Sequence, residues 1–314
     1  METKLRQEPW PYKRHSDYEV ELRNAATAWF SKQGYAVTSR MAYCLADRGD
    51  WTKNVVDTKA VQYITNAVAA RRADKTPFPL HKYVHHGLSS QALLFNLVGP
   101  LAARGDYAPL RSAVEAVGVR WPESGEDVAF EYEDRSIFNE QQVQPTSIDL
   151  VIGDPSKSGA LYIECKLVEP GFGGCSLFVA GDCEGSNPVD EFGDCYLHHI
   201  GRTYLTALRE AGAYVGQLAA DSLCPLANHY QFYRELLMAV RKDGYFLLLG
   251  DERSPVFVKD GANRRRGTWH FLTSRLPDHL RSRVAFVSIQ NVVRKIEASG
   301  RHPWIDSFKQ KYGL

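Results

Sequence analysis

Two acidic residues and a lysine stand close together near the middle of the chain. Asp149 is followed fifteen residues later by Glu164, and Lys166 comes two residues after that. Two carboxylates that converge on one point suit Mg²⁺, which takes few oxygen ligands from a protein and keeps several waters. A lysine beside such an ion can orient or deprotonate water, or stabilise charge that develops on a phosphate. These residue types at this spacing therefore indicate metal-assisted chemistry.

The flanking residues indicate how these charges are positioned. Residues 145–152 and 161–166 are rich in apolar residues and are separated by a cluster of turn formers, so they should form a β-hairpin. Because side chains alternate between the faces of a strand, Glu164 and Lys166 share one face. We expect the hairpin to present Asp149 from that same surface. The alternative is an ordinary surface hairpin with one Glu–Lys ion pair, which would contribute little to stability.

This hairpin resembles the PD-(D/E)XK nuclease motif. Asp149 is followed by Glu164-Cys165-Lys166, and Pro145 lies four residues before the aspartate. The resemblance implies that Asp149, Glu164 and the backbone carbonyl of Cys165 hold Mg²⁺, with Mn²⁺ as a substitute. It also implies that Lys166 assists the attacking water. The expected activity is hydrolysis of DNA phosphodiester bonds by an endonuclease of the restriction, defence or repair type.

A broader resemblance covers most of the chain and concerns a bacterial family of restriction-endonuclease-like proteins. The segments that carry it are Ser89-Ser90-Gln91, Asn96 with Gly99-Pro100-Leu101, Cys224-Pro225-Leu226 and Lys311-Tyr312-Gly313-Leu314. From residue 88 the predicted elements run helix, three strands, helix, strand. The expected fold is therefore α/β, with a restriction-endonuclease-like αβββαβ core whose central mixed sheet is flanked by helices, plus an N-terminal helical extension.

The first core helix departs from the superfamily pattern. Related nucleases commonly place an acid on this helix near the metal, but the helix that Ser89 should cap has no obvious acid. By resemblance, Gln91 is the nearest candidate for a catalytic role; the alternative is that its amide only satisfies neighbouring backbone groups. Segment 127–134 alternates apolar and acidic residues and predicts the first core strand. Glu131 on that strand is a reserve metal ligand.

The second core helix, predicted over about 227–240, carries two candidate contacts. Gln231 and Arg234 lie three residues apart on a common face. In related nucleases a glutamine or basic residue on this helix often touches the active site or the DNA backbone. By resemblance we assign that role to Gln231 and Arg234.

Charge is distributed unevenly, although the net charge is only +1. Residues 121–200 hold sixteen acidic residues against three basic ones, whereas residues 259–314 hold twelve basic residues against four acidic ones. Residues 121–200, the acidic middle, need cations to balance their charge, and residues 259–314, the basic segment, suit the binding of a polyanion. Within that segment, Arg264, Arg265 and Arg266 are expected to bind the nucleic-acid backbone. The alternative is that the two regions neutralise each other.

Four cysteines follow the motif, and they are Cys175, Cys183, Cys195 and Cys224. They suggest a Zn²⁺ or Fe–S site. No Cys-x-x-Cys pair is present, so free structural thiols are the alternative. The Gly-rich stretch around Cys175 follows the predicted hairpin directly and is also a candidate substrate loop.

Length and composition set wider limits. The 314 residues, 44% of them hydrophobic, suit one large domain or a core with an added lobe. We expect residues 1–80 to form an N-terminal helical accessory region and residues 81–314 the nuclease-like domain. The sequence has no apolar run of about 20 residues, and residues 1–10 lack the apolar stretch that is typical of a secretory signal. We therefore expect a cytoplasmic protein with no membrane partner and with reduced thiols.

Other functions and partners stay open at this point. A catalytically inactive nuclease-fold protein that binds nucleic acid would fit the missing helix acid, but it has no physical need for three facing charges. A hydrolase of small phosphorylated molecules would be expected to carry a Gly-rich phosphate loop or a His-rich metal cluster, and the sequence has neither. DNA is the expected partner, with RNA as an open alternative, and the sequence leaves open whether the chain forms a homodimer.

Overall fold

A single mixed sheet organises the molecule, for which the computed structural model describes residues 16–141, 145–189, 191–258 and 267–314. Its strands are β1 (Val128–Glu133), β2 (Ser147–Ile152), β3 (Leu161–Lys166), β4 (Tyr245–Gly250) and β5 (Val284–Ser288). They lie in the order β1-β2-β3-β4-β5. β1, β2 and β3 pair antiparallel, whereas β3, β4 and β5 run parallel. The predicted hairpin is therefore present as β2 and β3.

Helices cover both faces of the sheet. They are α1 (Ser16–Lys32), α2 (Thr58–Ala73), α3 (Ser90–Leu97), α4 (Gly99–Ala102), α5 (Ala108–Glu115), α6 (Ser176–Ala180), α7 (Tyr196–His199), α8 (Tyr204–Glu210), α9 (Gly216–Ala220), α10 (Pro225–Arg241), α11 (Thr268–Arg275), α12 (Asp278–Arg281), α13 (Ile289–Ser299) and α14 (Ile305–Tyr312), with a 3₁₀ helix at Arg48–Asn54. Helix α3, strands β1 to β3, helix α10 and strand β4 follow the predicted αβββαβ order. The predicted fold class is confirmed.

Local sequence explains where the two principal core helices begin. The Ser89 hydroxyl accepts a hydrogen bond from the Ala92 N–H and caps α3, as predicted. Helix α10 begins with Pro225 in its first turn, where the missing N–H of proline costs no helical hydrogen bond. These two helices pack near the hairpin, and each of them carries a glutamine that reaches an acidic residue on the sheet.

The side chains of β3 divide between two apolar cores, one on each face of the sheet. The first core contains Ile163 and Cys165 together with residues of α1, α2, α3, α13 and α14. The second core contains Tyr162 together with residues of α8, α10 and α11. Because side chains alternate along a strand, Glu164 and Lys166 project toward the face that α10 covers. Every residue of β3 is buried, so both charges are held where water is scarce.

The N-terminal helices belong to the same first core as the sheet. Leu22 of α1 and Ile64 of α2 are buried in it beside residues of β2 and β3. The sequence predicted a boundary near residue 80 between an accessory region and the nuclease-like domain, and that boundary stays a prediction. Among the described ranges, no helix has both the length and the apolar character needed to cross a membrane.

A half-buried histidine in α10 should make the stability of the protein depend on pH. His229 has non-helical backbone angles, with φ −135° and ψ 40°. Burial, followed by the nearby Arg275, lowers the pKa of His229 to about 4. An unfolded histidine titrates near pH 6.5, so the unfolded chain binds the proton more readily between these values. This contribution to stability is complete above about pH 6.5 and is lost as the pH falls toward 4.

We expect the free energy of unfolding to fall by about 2 kcal/mol through His229 between pH 7.5 and pH 5. Urea unfolding of wild type and His229→Gln at both pH values measures this difference. The variant should lose less stability on acidification than the wild type. Equal losses in the two proteins would show that His229 does not carry this dependence.

Candidate active site

Three carboxylates occupy one row across neighbouring strands of the sheet. The pairing of Leu150 with both adjacent strands fixes the register of β2. One residue earlier, Asp149 therefore lies between Glu131 on β1 and Glu164 on β3. Facing residues of adjacent strands have their Cβ atoms about 5 Å apart. The structure thus brings Asp149 and Glu164 together, as the hairpin predicted, and adds Glu131 to them.

Asp149 is held by the backbone of the facing strand. Its Oδ2 accepts a hydrogen bond of 2.9 Å from the Cys165 N–H. Burial, and then the charges of Glu164 and Glu131, raise the pKa of the Asp149 carboxyl well above its ordinary value. A bound cation would oppose that shift and favour the ionised form. The Cys165 thiol points into the first core, and burial raises its pKa as well, which leaves only the backbone of this residue as a candidate ligand.

A closed set of polar contacts joins Lys166, Glu164 and Gln231. The Lys166 Nζ lies 2.7 Å from the Glu164 Oε1 and donates to the Gln231 Oε1 at 2.7 Å. The Gln231 Nε2 in turn donates to the Glu164 Oε1 at 2.7 Å. Burial alone would lower the pKa of Lys166, but the neighbouring carboxylates, with Glu164 first, raise it above its ordinary value. The lysine is therefore a charged hydrogen-bond donor.

The second oxygen of Glu164 provides a test of whether the residues fit a cation. Glu164 is 3% exposed, and its Oε2 has no hydrogen-bond partner in the described part of the chain. A buried carboxylate oxygen without a partner is costly unless a cation or a proton compensates it. Residues 16–141, 145–189, 191–258 and 267–314 contain no group of three or more His, Cys, Asp or Glu side chains arranged for a metal. Two carboxylates with waters suit Mg²⁺, so the donor set fits this ion.

Gln91 lies beside Glu131. Its Nε2 donates to the Glu131 Oε1 at 2.6 Å and to the Pro79 carbonyl at 2.8 Å. Its Oε1 accepts a hydrogen bond from the His81 N–H at 2.8 Å. These contacts tie the start of α3 to strand β1 and to the preceding loop. The predicted catalytic role of Gln91 stays a prediction, and the structure gives the side chain a positioning contact with an acid in the row.

Glu131 has an unusual backbone conformation for a strand residue. Its φ is +52°, in the left-handed region, and the Arg71 guanidinium donates to its carbonyl at 2.6 Å. Such strain costs about 1–3 kcal/mol and is often found at functional sites. Burial raises the pKa of Glu131 to about 7. The hydrogen bond from Gln91 opposes this rise, and the charge of Glu164 adds to it. Glu131 therefore remains a candidate reserve ligand within the row.

Glu235 is an acid at this site that the sequence argument did not single out. It lies one turn after Gln231 on α10 and is 1% exposed, with the Gln231 side chain beside its carboxyl. Burial, and then Glu164, raise its pKa well above the ordinary value. The spacing of four between Gln231 and Glu235 places both on one helix face. That spacing is the signal that could have identified Glu235.

Arg234 is engaged by residues within the fold. Its guanidinium lies 2.7 Å from the Glu140 Oε1 and donates to the Thr146 hydroxyl at 2.9 Å, and it lies over the Tyr230 ring. Its side chain is 13% exposed. The predicted contact of Arg234 with DNA stays a prediction. Arg264, Arg265 and Arg266 lie outside the described residues.

The cysteines are separated from this row of acids. Cys183, Cys195 and Cys224 line a cavity of about 830 Å³, while Cys175 is buried elsewhere in the same region. None of these four cysteines forms a disulfide. The predicted Zn²⁺ or Fe–S site stays a prediction, and metal analysis of the purified wild type alongside Cys183→Ser decides between it and free thiols.

Basic residues of the C-terminal segment pair with acids outside residues 121–200. Arg275 contacts Asp221, and Arg283 lies 2.7 Å from the carboxylate of Asp243. Acids of residues 121–200 pair instead with basic residues of other segments, such as Glu140 with Arg234 and Asp134 with Lys242.

Comparison with known proteins is consistent with the broader resemblance. The family model described as Restriction Endonuclease associating with ARP matches residues 23–313. No curated protein and no solved structure matches the chain. The family match runs from α1 to the end of α14 and includes every residue of the row described above.

Proposed function

We propose that this chain, which belongs to the family described as Restriction Endonuclease associating with ARP, is a Mg²⁺-dependent endonuclease that hydrolyses DNA phosphodiester bonds. The observation that carries the proposal is the meeting of Asp149, Glu164 and Lys166 on two adjacent strands. The family description supports a nuclease-like role with DNA as the substrate. The strand positions of the three residues support a site of the PD-(D/E)XK type.

Asp149 and Glu164, with the backbone carbonyl of Cys165, would hold the Mg²⁺ ion, for which Mn²⁺ is a substitute. When bound, the ion would supply a Lewis acid that polarises the scissile phosphate and acidifies water. The Cys165 N–H fixes one oxygen of Asp149 and thereby fixes the direction of its carboxylate. Gln231 fixes one oxygen of Glu164 in the same way.

Lys166 would stabilise the negative charge that develops on the phosphate. Its ammonium is charged, because the surrounding carboxylates raise its pKa, and it is therefore better suited to donate hydrogen bonds than to accept a proton. Water attacks phosphorus, the bond to the 3′ oxygen breaks, and that oxygen takes up a proton. The products are a 5′-phosphate and a 3′-hydroxyl.

A plasmid-nicking assay tests this function. Supercoiled DNA should become nicked or linear with Mg²⁺ or Mn²⁺, and it should stay intact in EDTA. Single-stranded DNA and RNA in the same assay define the substrate class. Binding of DNA in a mobility-shift assay without cleavage under any metal condition would instead favour the inactive nuclease-fold protein.

A further inference from the structure

The loop that precedes α3 is fixed to the row of carboxylates through its backbone. The Gln91 side chain accepts a hydrogen bond of 2.8 Å from the His81 N–H and donates to the Pro79 carbonyl at 2.8 Å. The same amide donates to the Glu131 carboxylate at 2.6 Å. Because these contacts of the loop use its main chain, the side chains of the loop project from a backbone of fixed position.

Three consecutive side chains of this loop are exposed to solvent, and they belong to His81, Lys82 and Tyr83. Tyr83 is 52% exposed, whereas the next residue, Val84, is fully buried. The Lys82 Nζ lies 4.7 Å from the centroid of the Tyr83 ring, and the His81 ring lies 5.4 Å from it. A single exposed aromatic residue is common on protein surfaces. This one has a cation beside it and is held on an anchored loop.

The exposed cluster lies beside the candidate active site. Partial burial lowers the pKa of His81, and the charge of Lys166 adds to this effect while that of Glu169 opposes it. Charges of β3 and of the segment after it therefore reach the His81 imidazole. The loop forms a side of the site that helix α10 does not cover.

A second cation, Arg48, lies behind the cluster. Its guanidinium donates to the Leu80 carbonyl at 2.8 Å, and its charge also acts on His81. The described contacts of Arg48 and Lys82 are thus to a carbonyl and to a ring, and neither of these groups is an acid. Positive charge and an open aromatic ring together form the kind of surface that binds a nucleic-acid strand.

We propose that Tyr83 and Lys82 bind an unpaired nucleotide of the DNA strand that enters the site, with the Tyr83 ring stacked on its base and the Lys82 ammonium on its phosphate. This inference rests on the proposed function, because the bound strand is the substrate of the row of carboxylates. Every base has an aromatic face, so stacking of this kind tolerates any sequence. A base inside a duplex is already stacked on its neighbours. The surface therefore favours DNA with an unpaired region over a continuous duplex.

The experiment measures fluorescence anisotropy of a labelled single-stranded oligonucleotide in EDTA, so that binding is separated from cleavage. Tyr83→Ala should weaken binding by about 5–150-fold, which corresponds to the loss of one stacked base. Tyr83→Phe keeps the ring and should bind within about twofold of the wild type. Tyr196→Ala is the matched control, since Tyr196 is 58% exposed and lines the separate cavity that contains three cysteines. It should bind like the wild type.

A blunt duplex of the same sequence separates stacking from phosphate binding. Tyr83→Ala should change the affinity for this duplex by less than about twofold, because no unpaired base is offered to the ring. Lys82→Ala should lower the slope of log affinity against log salt concentration by about 0.7 on the single strand, as expected for one lost phosphate contact. The main-chain contacts of the loop are kept in these variants, so their melting temperatures should match that of the wild type.

Equal single-strand affinities for wild type and Tyr83→Ala would overturn the surface. Equal weakening of single strand and duplex by Tyr83→Ala would overturn the assignment of an unpaired nucleotide. If the wild type cuts plasmid DNA but Tyr83→Ala binds the single strand normally, the nuclease stands and the surface falls. If the single strand binds through Tyr83 but the wild type cuts no DNA with any metal, the nuclease falls and the binding surface stands.

Discussion

Lys166→Ala is expected to lower the single-turnover rate constant of DNA cleavage by about 10²–10³-fold, while Mg²⁺ and DNA still bind. The ammonium is the only basic group in contact with Glu164 among the described residues, and alanine leaves no donor to replace it. Cleavage of a labelled duplex at saturating enzyme and metal measures the loss. Calorimetry and a mobility-shift assay measure the two binding steps.

Lys157→Ala is the matched control for this prediction. Lys157 lies in the turn of the same hairpin, and its side chain is 70% exposed. Its removal should leave the cleavage rate unchanged. Cleavage by Lys166→Ala at the wild-type rate would refute the catalytic assignment of Lys166.

The same Lys166→Ala variant should also lose stability in the absence of metal. Glu164 would lose the buried ammonium that contacts its Oε1, and breaking a buried ion pair costs about 3–5 kcal/mol. Mg²⁺ should restore part of this loss by supplying a new positive charge. Melting temperatures with EDTA and with Mg²⁺ measure both effects and show whether the variant is folded in the cleavage assay.

Asp149→Asn is expected to weaken divalent-metal binding by at least about 10–100-fold. The asparagine carbonyl can still accept the hydrogen bond from the Cys165 N–H, so the substitution removes charge and preserves the backbone contact. Titration calorimetry with Mn²⁺ gives the affinity. Asp154→Asn, in the turn of the hairpin, removes the same charge at a residue that contacts Ser156 and Lys157, and it should bind Mn²⁺ like the wild type. Equal affinities for wild type and Asp149→Asn would contradict the assignment.

Much of the candidate site could be predicted because its determinants are local. Alternation along a six-residue strand is enough to place Glu164 and Lys166 on one face, and a short turn is enough to bring Asp149 opposite them. The prediction of a role for Gln231 depended on the resemblance to known nucleases. The structure places its side chain in contact with both Glu164 and Lys166.

The remaining features depend on contacts that local patterns do not encode. The partner of Gln91 is Glu131, which lies forty residues away along the chain on β1. The left-handed φ of Glu131 has no signal in the sequence. The partner of Arg234 is Glu140, ninety-four residues away. Such pairs depend on how helices pack on the sheet, and a single sequence does not reveal this.

The packing of the N-terminal helices against the sheet could not be predicted from the sequence either. The sequence predicted a helical region at the N-terminus, and α1 and α2 lie in it, with Asp57 accepting a hydrogen bond from the Ala60 N–H at the start of α2. That these helices share the first core with β2 and β3 depends on their apolar faces meeting the sheet. Periodicity identifies an apolar face but does not identify the surface that it covers.

A crystal grown with Mn²⁺ and measured for anomalous scattering of manganese tests whether this hairpin binds the metal. An anomalous peak is expected within about 2–2.5 Å of a carboxylate oxygen of Asp149 and of one of Glu164. Lys166 is expected to turn toward the neighbouring solvent or phosphate position. A map without a peak between these two acids, with the Lys166–Glu164 pair unchanged, would contradict the claim that this hairpin binds the metal.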